Sequence, residues 1–82
     1  MYYTLYILKS QRFNKFYTGQ TDNLERRIKE HNSGKVKYTT LYMPWMLIYK
    51  EVFKNREDTV KREKYLKSAA GRRWLKKKFK YN

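Results

Sequence analysis

Cysteine is absent from this 82-residue chain, so disulfides, thiolate-held zinc and cysteine nucleophiles are excluded together. Histidine occurs once, at His31, which leaves a three-histidine zinc site or a Ser-His-Asp triad only that residue to build on. Carboxylates are scarce: seven Asp and Glu stand against 21 Lys and Arg, for a formal charge of +14. Long apolar runs are missing too. Nothing approaches the roughly 20 apolar residues that cross a membrane. The amino terminus alternates Tyr, Thr, Leu and Tyr instead of opening with basic residues and an apolar block. The expectation is a cytoplasmic protein with no secretion signal and no membrane span. The length fits one small domain, 1–82, with a compact core, because a chain this short buries only about 60–65% of its unfolded surface.

Aromatic and basic residues are abundant. Aromatics make up 18% of the chain, with nine Tyr, four Phe and two Trp. Disordered basic tails are poor in such residues, so this reads as a folded basic domain. The charge is uneven, since residues 61–82 hold ten of the basic side chains and one of the acidic ones. Clustered positive charge is the footprint of a polyanion partner, and nucleic acid is the commonest polyanion. Composition alone leaves a solubilising charge or an anionic membrane surface as the alternative.

Residues 2–9 are dense in β-formers and read as a buried strand, Ser10 to Lys15 as a polar loop. Phe16 to Gly19 is the returning strand of a hairpin that brings Tyr6 towards Tyr17. A helix then starts at Asp22, which with Glu25 three residues on resembles a capping box, and Gly34 suits its end. Leu24, Ile28 and His31 share one face of that helix, with Arg27 beside them and one turn before His31. Residues 35–45 read as a polar and aromatic loop holding the one proline, Pro44. Trp45 to Phe53 reads as a third strand, with Leu47, Tyr49 and Phe53 on one side and Met46, Ile48 and Val52 on the other. Asn55 suits the cap of a second helix over about 56–67, whose inward stripe would be Thr59, Val60, Glu63, Leu66 and Ala70. A break at Ser68 or Gly71 precedes a short third helix anchored by Trp74, Leu75 and Phe79. Arg27 and Glu63 therefore stand on inward edges where periodicity asks for apolar side chains. Such violations of pattern gather at functional sites.

Taken in order, Thr4-Leu5-Tyr6, Tyr17-Thr18-Gly19, Leu24-Glu25-Arg26-Arg27, His31-Asn32-Ser33-Gly34 and the helix Lys61-Arg62-Glu63-Lys64-Tyr65-Leu66-Lys67 resemble the GIY-YIG nuclease domain. The sequence departs from the family's name motif at Thr4 and Leu5, where it has Gly and Ile, and at Thr18, where it has Ile. The resemblance implies a mixed α/β (α+β) fold, a small three-stranded antiparallel sheet flanked by helices. It also implies metal-dependent hydrolysis of phosphodiester bonds in DNA, with Mg²⁺ or Mn²⁺ as cofactor. By position, Tyr6 and Tyr17 match the family's two tyrosines, Arg27 its catalytic arginine and Glu63 its metal ligand. His31 matches a histidine present in many members. Some members use a late asparagine; Asn82 is the candidate, and no role is assigned to it.

The chemistry suits these residue types. Mg²⁺ keeps most of its waters and needs one or two carboxylates plus a substrate phosphate, so Glu63 suffices as sole protein ligand. Arg27, always cationic and forked, suits the non-bridging oxygens of the transition state. Proton removal from water falls to Tyr6, Tyr17 or His31, with reference pKa values of about 10 for tyrosine and about 6.5 for histidine, and the sequence leaves the choice open. Each residue also has a plainer reading: packed tyrosines, a solvated arginine, a capping histidine, and a Glu63 that pairs with Lys67 one turn on for about 0.3–0.5 kcal/mol. Arg72, Arg73, Lys76, Lys77, Lys78 and Lys80 would grip backbone phosphates, with Lys35, Lys37 and Tyr38 extending the footprint. The expected partner is DNA that is branched, nicked or single-stranded, not a membrane. Selectivity would come from nucleic-acid shape or from a protein partner that supplies targeting. The alternative is a non-catalytic nucleic-acid-binding module that keeps the nuclease fold.

Overall fold

The segment richest in β-formers, β1 (Tyr3–Ser10), lies at the centre of a three-stranded sheet in the computed structural model, which describes residues 1–79. It pairs antiparallel with β2 (Phe16–Thr21) on one side and β3 (Trp45–Phe53) on the other. Leu5, Tyr6, Ile7 and Leu8 are all buried, because both faces of this strand are covered. Tyr6 and Leu8 pack with Trp45, Leu24 and Ile28 under α1 (Leu24–Asn32) and the segment that follows it. Leu5 and Ile7 pack with Leu66 and Leu75 under α3 (Arg56–Lys67) and α4 (Ala69–Phe79). Helices on both faces of one antiparallel sheet give the expected mixed α/β architecture in three layers.

Several local expectations change. The strand β2 runs on to Thr21, so the cap of α1 moves one residue to Asn23, whose side chain accepts from Arg26 N. The Asp22–Glu25 capping box does not form: Asp22 pairs with Arg26 and Glu25 with Lys29, each one helical turn away. Ser33 caps α1, and Gly34 follows at φ +85°, a left-handed turn that suits glycine. The segment read as loop contains a short helix, α2 (Lys37–Thr40). In β3 the register slips between Ile7 and Leu8, leaving Ile48 as an extra residue. That bulge puts Leu47 with Tyr6 and Leu8, but Tyr49 and Phe53 with Leu5 and Ile7, so the even alternation read along this strand is broken. Asn55 caps α3 as expected, through Asp58 N. Ala70 is exposed rather than inward, because the chain turns at Ser68 into α4.

The α3–α4 corner is tight. A Cβ added at Gly71 would lie 2.1 Å from the Tyr65 carbonyl oxygen and 2.5 Å from Leu66 Cα. Arg62 fixes the same corner to β3 by holding both oxygens of Glu51 at 2.9 and 3.0 Å, with its guanidinium 5.1 Å from the Trp74 ring centroid. Gly71→Ala is expected to destabilise the protein by about 1–3 kcal/mol, since backbone rather than a flexible side chain must move. Urea unfolding at neutral pH measures it, and an unchanged midpoint would show that the corner relaxes freely.

Candidate active site

The pairing of β1 with β2 sets Tyr6 directly opposite Gly19. The Tyr6 ring lies across that glycine: a Cβ there would stand 2.7 Å from the Tyr6 hydroxyl oxygen, 2.9 Å from Cζ and 3.0 Å from Tyr17 Cε1. Glycine is required for the space it leaves, not for an unusual backbone. Tyr17 precedes Gly19 by two residues and so shares its face, with ring centroids 6.2 Å from Tyr6.

From the other side, α1 delivers His31 into the same place. Its ring is 4.7 Å from that of Tyr17, its Nε2 is 2.8 Å from the Tyr6 hydroxyl, and its Nδ1 is 2.9 Å from Thr39 Oγ1. Thr39 is buried on α2 and donates its single hydroxyl proton to the Val36 carbonyl at 3.2 Å. Its oxygen must then accept from Nδ1–H, which leaves Nε2 as the acceptor for Tyr6 O–H. Thr39 also accepts from Trp45 Nε1 through its carbonyl, and Asn32 clasps the Trp45 backbone with both ends of its amide. The helix carrying His31, the short helix carrying Thr39 and the start of β3 are thus one hydrogen-bonded unit.

Arg27, one turn before His31, lies at the edge of this pair. Its Nη1 donates to Glu30 Oε1 at 3.0 Å, and its charge also acts on the Tyr6 phenol and on His31. Burial pushes the Tyr6 phenol up to about 12 against the pull of Arg27, with Tyr17 and Glu63 adding to the rise. Burial pushes His31 down to about 4, aided by Arg27 and opposed by Glu30. At neutral pH the Tyr6–His31 pair is therefore uncharged. Glu63 on α3 is half-buried and close enough to affect Tyr6, while its Oε2 accepts from Lys67 Nζ at 2.7 Å. Glu63 has the helical ion pair with Lys67 that its plainer reading expected, whereas Arg27 is not simply solvated but pairs with Glu30.

Tyr6, Tyr17, Arg27, His31 and Glu63 come from four separate elements, β1, β2, α1 and α3, and the chain's relatives agree with the fold. A family model described as the GIY-YIG catalytic domain matches residues 2–82. The chain belongs to the GIY-YIG family. The UPF0213 protein SH2523 of Staphylococcus haemolyticus is 40% identical over 73 residues, 88% of each chain. The UPF0213 protein CPE1444 of Clostridium perfringens is 47% identical over 64 residues, 77% of this chain and 68% of its own. The solution NMR structure of the UPF0213 protein BH0048 from Bacillus halodurans is 35% identical with a TM-score of 0.56, covering 92% of this chain and 82% of that one. GIY-YIG is a nuclease family, and its members in general depend on a divalent metal.

Within this GIY-YIG domain, a groove of about 540 Å³ opens along the free edge of β2. Tyr17, Thr18 and Tyr38 line it on one side, and Lys67, Arg72 and Lys76 on the other. Of the remaining cations, Arg73 and Lys77 are exposed on α4, Lys35 and Lys37 are exposed after α1, and Lys78 folds back over the Tyr49 and Trp74 rings away from the groove. Lys80 and Asn82 lie outside the described residues. The structure adds four partners that the sequence reading did not assign: Thr39, Glu30, Lys15 and Lys67 as a groove residue. The i,i+3 spacing of Arg27 and Glu30 was a usable signal; Thr39 had none, because its helix lay in a segment without apolar periodicity.

Among the described residues no three His, Cys, Asp or Glu cluster tightly enough to hold a metal. A single carboxylate suits a hard ion that keeps its waters and meets a substrate phosphate, such as Mg²⁺ or Mn²⁺, and does not suit a caged zinc. Both His31 nitrogens are engaged, so His31 is not a ligand. Among the described residues, no helix is long and apolar enough to cross a membrane.

The His31 shift has a sign that can be tested. Between about pH 6.5 and 4 the unfolded chain binds a proton at His31 that the folded one does not, so stability falls as pH drops through this window. The loss is expected to reach up to about 3 kcal/mol. Glu30 and Glu51, both lowered, begin to lose their stabilisation as pH falls through the ordinary carboxylate range, a loss common to the parent and a His31 variant. Urea midpoints at pH 7 and pH 4.5 should therefore differ less in His31→Gln than in the parent. Parallel pH profiles would mean that His31 takes up its proton in the fold without penalty.

Proposed function

We propose that this chain is a divalent-metal-dependent endonuclease that hydrolyses phosphodiester bonds in DNA and selects by nucleic-acid structure rather than sequence. The observation that supports it most is the oriented chain from Tyr6 through His31 to Thr39, with Arg27 at its edge. A neutral phenol hydrogen-bonded to a neutral, fully buried imidazole gives a water proton a fixed route inward. Because burial raises Tyr6 and lowers His31, the transfer is uphill until the negative charge of the substrate favours the imidazolium. Mg²⁺ or Mn²⁺ at Glu63 would supply charge neutralisation at the phosphate and a polarised water.

The chain's own residues then divide the work. Arg27, held by Glu30, takes the non-bridging oxygens, and because it lies beside the Tyr6 phenol it brings the scissile bond to that hydroxyl. The water proton passes to the Tyr6 oxygen as the Tyr6 proton passes to His31 Nε2. The water oxygen forms the new P–O bond, the bond to the leaving sugar oxygen breaks and solvent protonates that oxygen. His31 Nε2 then returns its proton through the Tyr6 hydroxyl to solvent. His31 is 0% exposed and cannot meet the water itself, so it acts through Tyr6. Thr39 holds the imidazole in the tautomer that leaves Nε2 free to accept. Tyr17 lines the groove and packs on His31, which places it against the substrate. Arg72 and Lys76 on α4 grip flanking phosphates, with Arg73, Lys77, Lys35 and Lys37 extending the field around them.

Two experiments test this. Supercoiled plasmid and defined nicked, branched and single-stranded substrates, each with Mg²⁺, Mn²⁺ or chelator, should show metal-dependent cutting. Glu63→Ala and Arg27→Ala should abolish that cutting with circular dichroism unchanged, and Tyr6→Phe or His31→Ala should lower the rate by about 10²–10⁴-fold. Parental rates in Glu63→Ala and Arg27→Ala would sink the assignment. Separately, Arg72→Ala with Lys76→Ala should reduce the slope of log affinity against log salt by about 2, since each phosphate contact contributes a little under one. An unchanged slope would place the phosphates elsewhere.

A further inference from the structure

A run of aromatic rings continues outward from Tyr17, away from His31. Tyr17 is 6.3 Å from Tyr38, Tyr38 is 5.6 Å from Tyr42, and Tyr42 is 5.6 Å from Phe13, centroid to centroid. The inner members are partly covered, but Tyr38 is 50% and Phe13 47% exposed. An exposed ring by itself is ordinary, but Phe13 and Tyr38, joined through Tyr42, make a contiguous aromatic surface open to water.

The run is also held in place. Ser10 Oγ accepts from the backbone of Arg12 and Phe13 at 3.2 and 3.0 Å, which shapes the hairpin loop. Gln11 N donates to the Pro44 carbonyl at 2.9 Å, tying that loop to the segment that carries Tyr42. The surroundings are cationic: Lys15 Nζ stands 5.5 Å over the Tyr42 ring and lines the groove, and exposed Lys35 and Lys37 flank Tyr38 in sequence.

Fixed, half-exposed aromatic faces interleaved with lysines have one fitting occupant. Paired bases hide their faces in the duplex stack; an unpaired strand offers both base faces and phosphates. We infer that Phe13, Tyr42 and Tyr38 form a stacking track for an unpaired nucleic-acid strand leading to the scissile phosphate, with Tyr38 and Phe13 as its exposed platforms. This rests on the proposed nuclease reading for the position of the scissile bond, but its binding test does not depend on cleavage.

The probe is a fluorescein-labelled oligo(dT) of 20 nucleotides, compared by anisotropy with a blunt duplex of the same length, without metal. Tyr38→Ala and Phe13→Ala should each weaken oligo(dT) binding by about tenfold, as loss of one stacked base does. Duplex binding should change by less than about twofold, because the lysines that meet its phosphates remain. Tyr38→Trp and Phe13→Trp should restore oligo(dT) binding, which a merely structural fault would not allow. Urea midpoints within error of the parent exclude unfolding as the cause in the alanine variants; if Phe13→Ala unfolds, Phe13→Leu, which fills the space without a π-face, replaces it. Equal losses on both probes, or none on oligo(dT), would overturn the track. Absence of cutting by the parent would count against the nuclease reading and leave this binding comparison intact.

Discussion

Everything at the site depends on one close approach, the hydroxyl end of the Tyr6 ring against Gly19. Because β1 is the central strand and Tyr6 faces α1, its phenol has no route out except across the neighbouring strand, and only a residue without Cβ lets it pass. That placement puts the hydroxyl within reach of Nε2 on a helix more than twenty residues away in sequence. It also sets the spacing to Tyr17, which shares the glycine's face, and so where the groove meets the Tyr6–His31 hydrogen bond. The Tyr-x-Gly spacing is therefore a packing requirement before it is a chemical one.

Much of this was legible in the residues. Helices α1, α3 and α4, the third strand and the two tyrosines follow from β-density, the Asn55 cap and periodicity. Arg27 and Glu63 stood out because a polar group on an inward stripe breaks a pattern that Leu24, Ile28, Thr59 and Leu66 otherwise keep. What escaped were features set by tertiary partners. The bulge at Ile48 depends on how β3 pairs with β1, and no single-strand alternation encodes it. Helix α2 is four residues long, too short to show a period, yet it holds Thr39, which fixes the His31 tautomer. The cap moved from Asp22 to Asn23 because pairing carried β2 two residues beyond Gly19, and both residues are good caps locally.

The large positive charge divides in the same way. Within the site each cation has its own carboxylate: Arg27 has Glu30 and Lys67 has Glu63. Arg62, behind the sheet, is taken up by Glu51 and serves the α3–α4 corner. Arg72, Arg73, Lys76 and Lys77 form no ion pair among the described residues, so the field that attracts a polyanion originates on α4 and its neighbours rather than in the chemistry.

A charge-balanced resting site follows, and it bears on the order of events. Tyr6 and His31 are neutral, Arg27 is neutralised by Glu30, and Glu63 by a lysine that is itself half-exposed. An exposed i,i+4 pair is worth only about 0.3–0.5 kcal/mol, so Lys67 is a weak competitor for a divalent ion at that carboxylate. One carboxylate is also a weak site for the ion until a phosphate adds its oxygens. Under the proposed reading, the substrate and the metal would bring to the site the charges that it lacks, each favouring the other's arrival. Nucleic acid drawn in by α4 would set a phosphate beside Arg27, where it would complete the coordination of an ion held by Glu63. The scarcity of carboxylates sharpens this point. Only seven stand in the chain, and this one is half-buried, its charge reaches the Tyr6 phenol, and its one ion pair is the weak pair with Lys67. On the proposed reading it would be the group best suited to be released to a cation of higher charge.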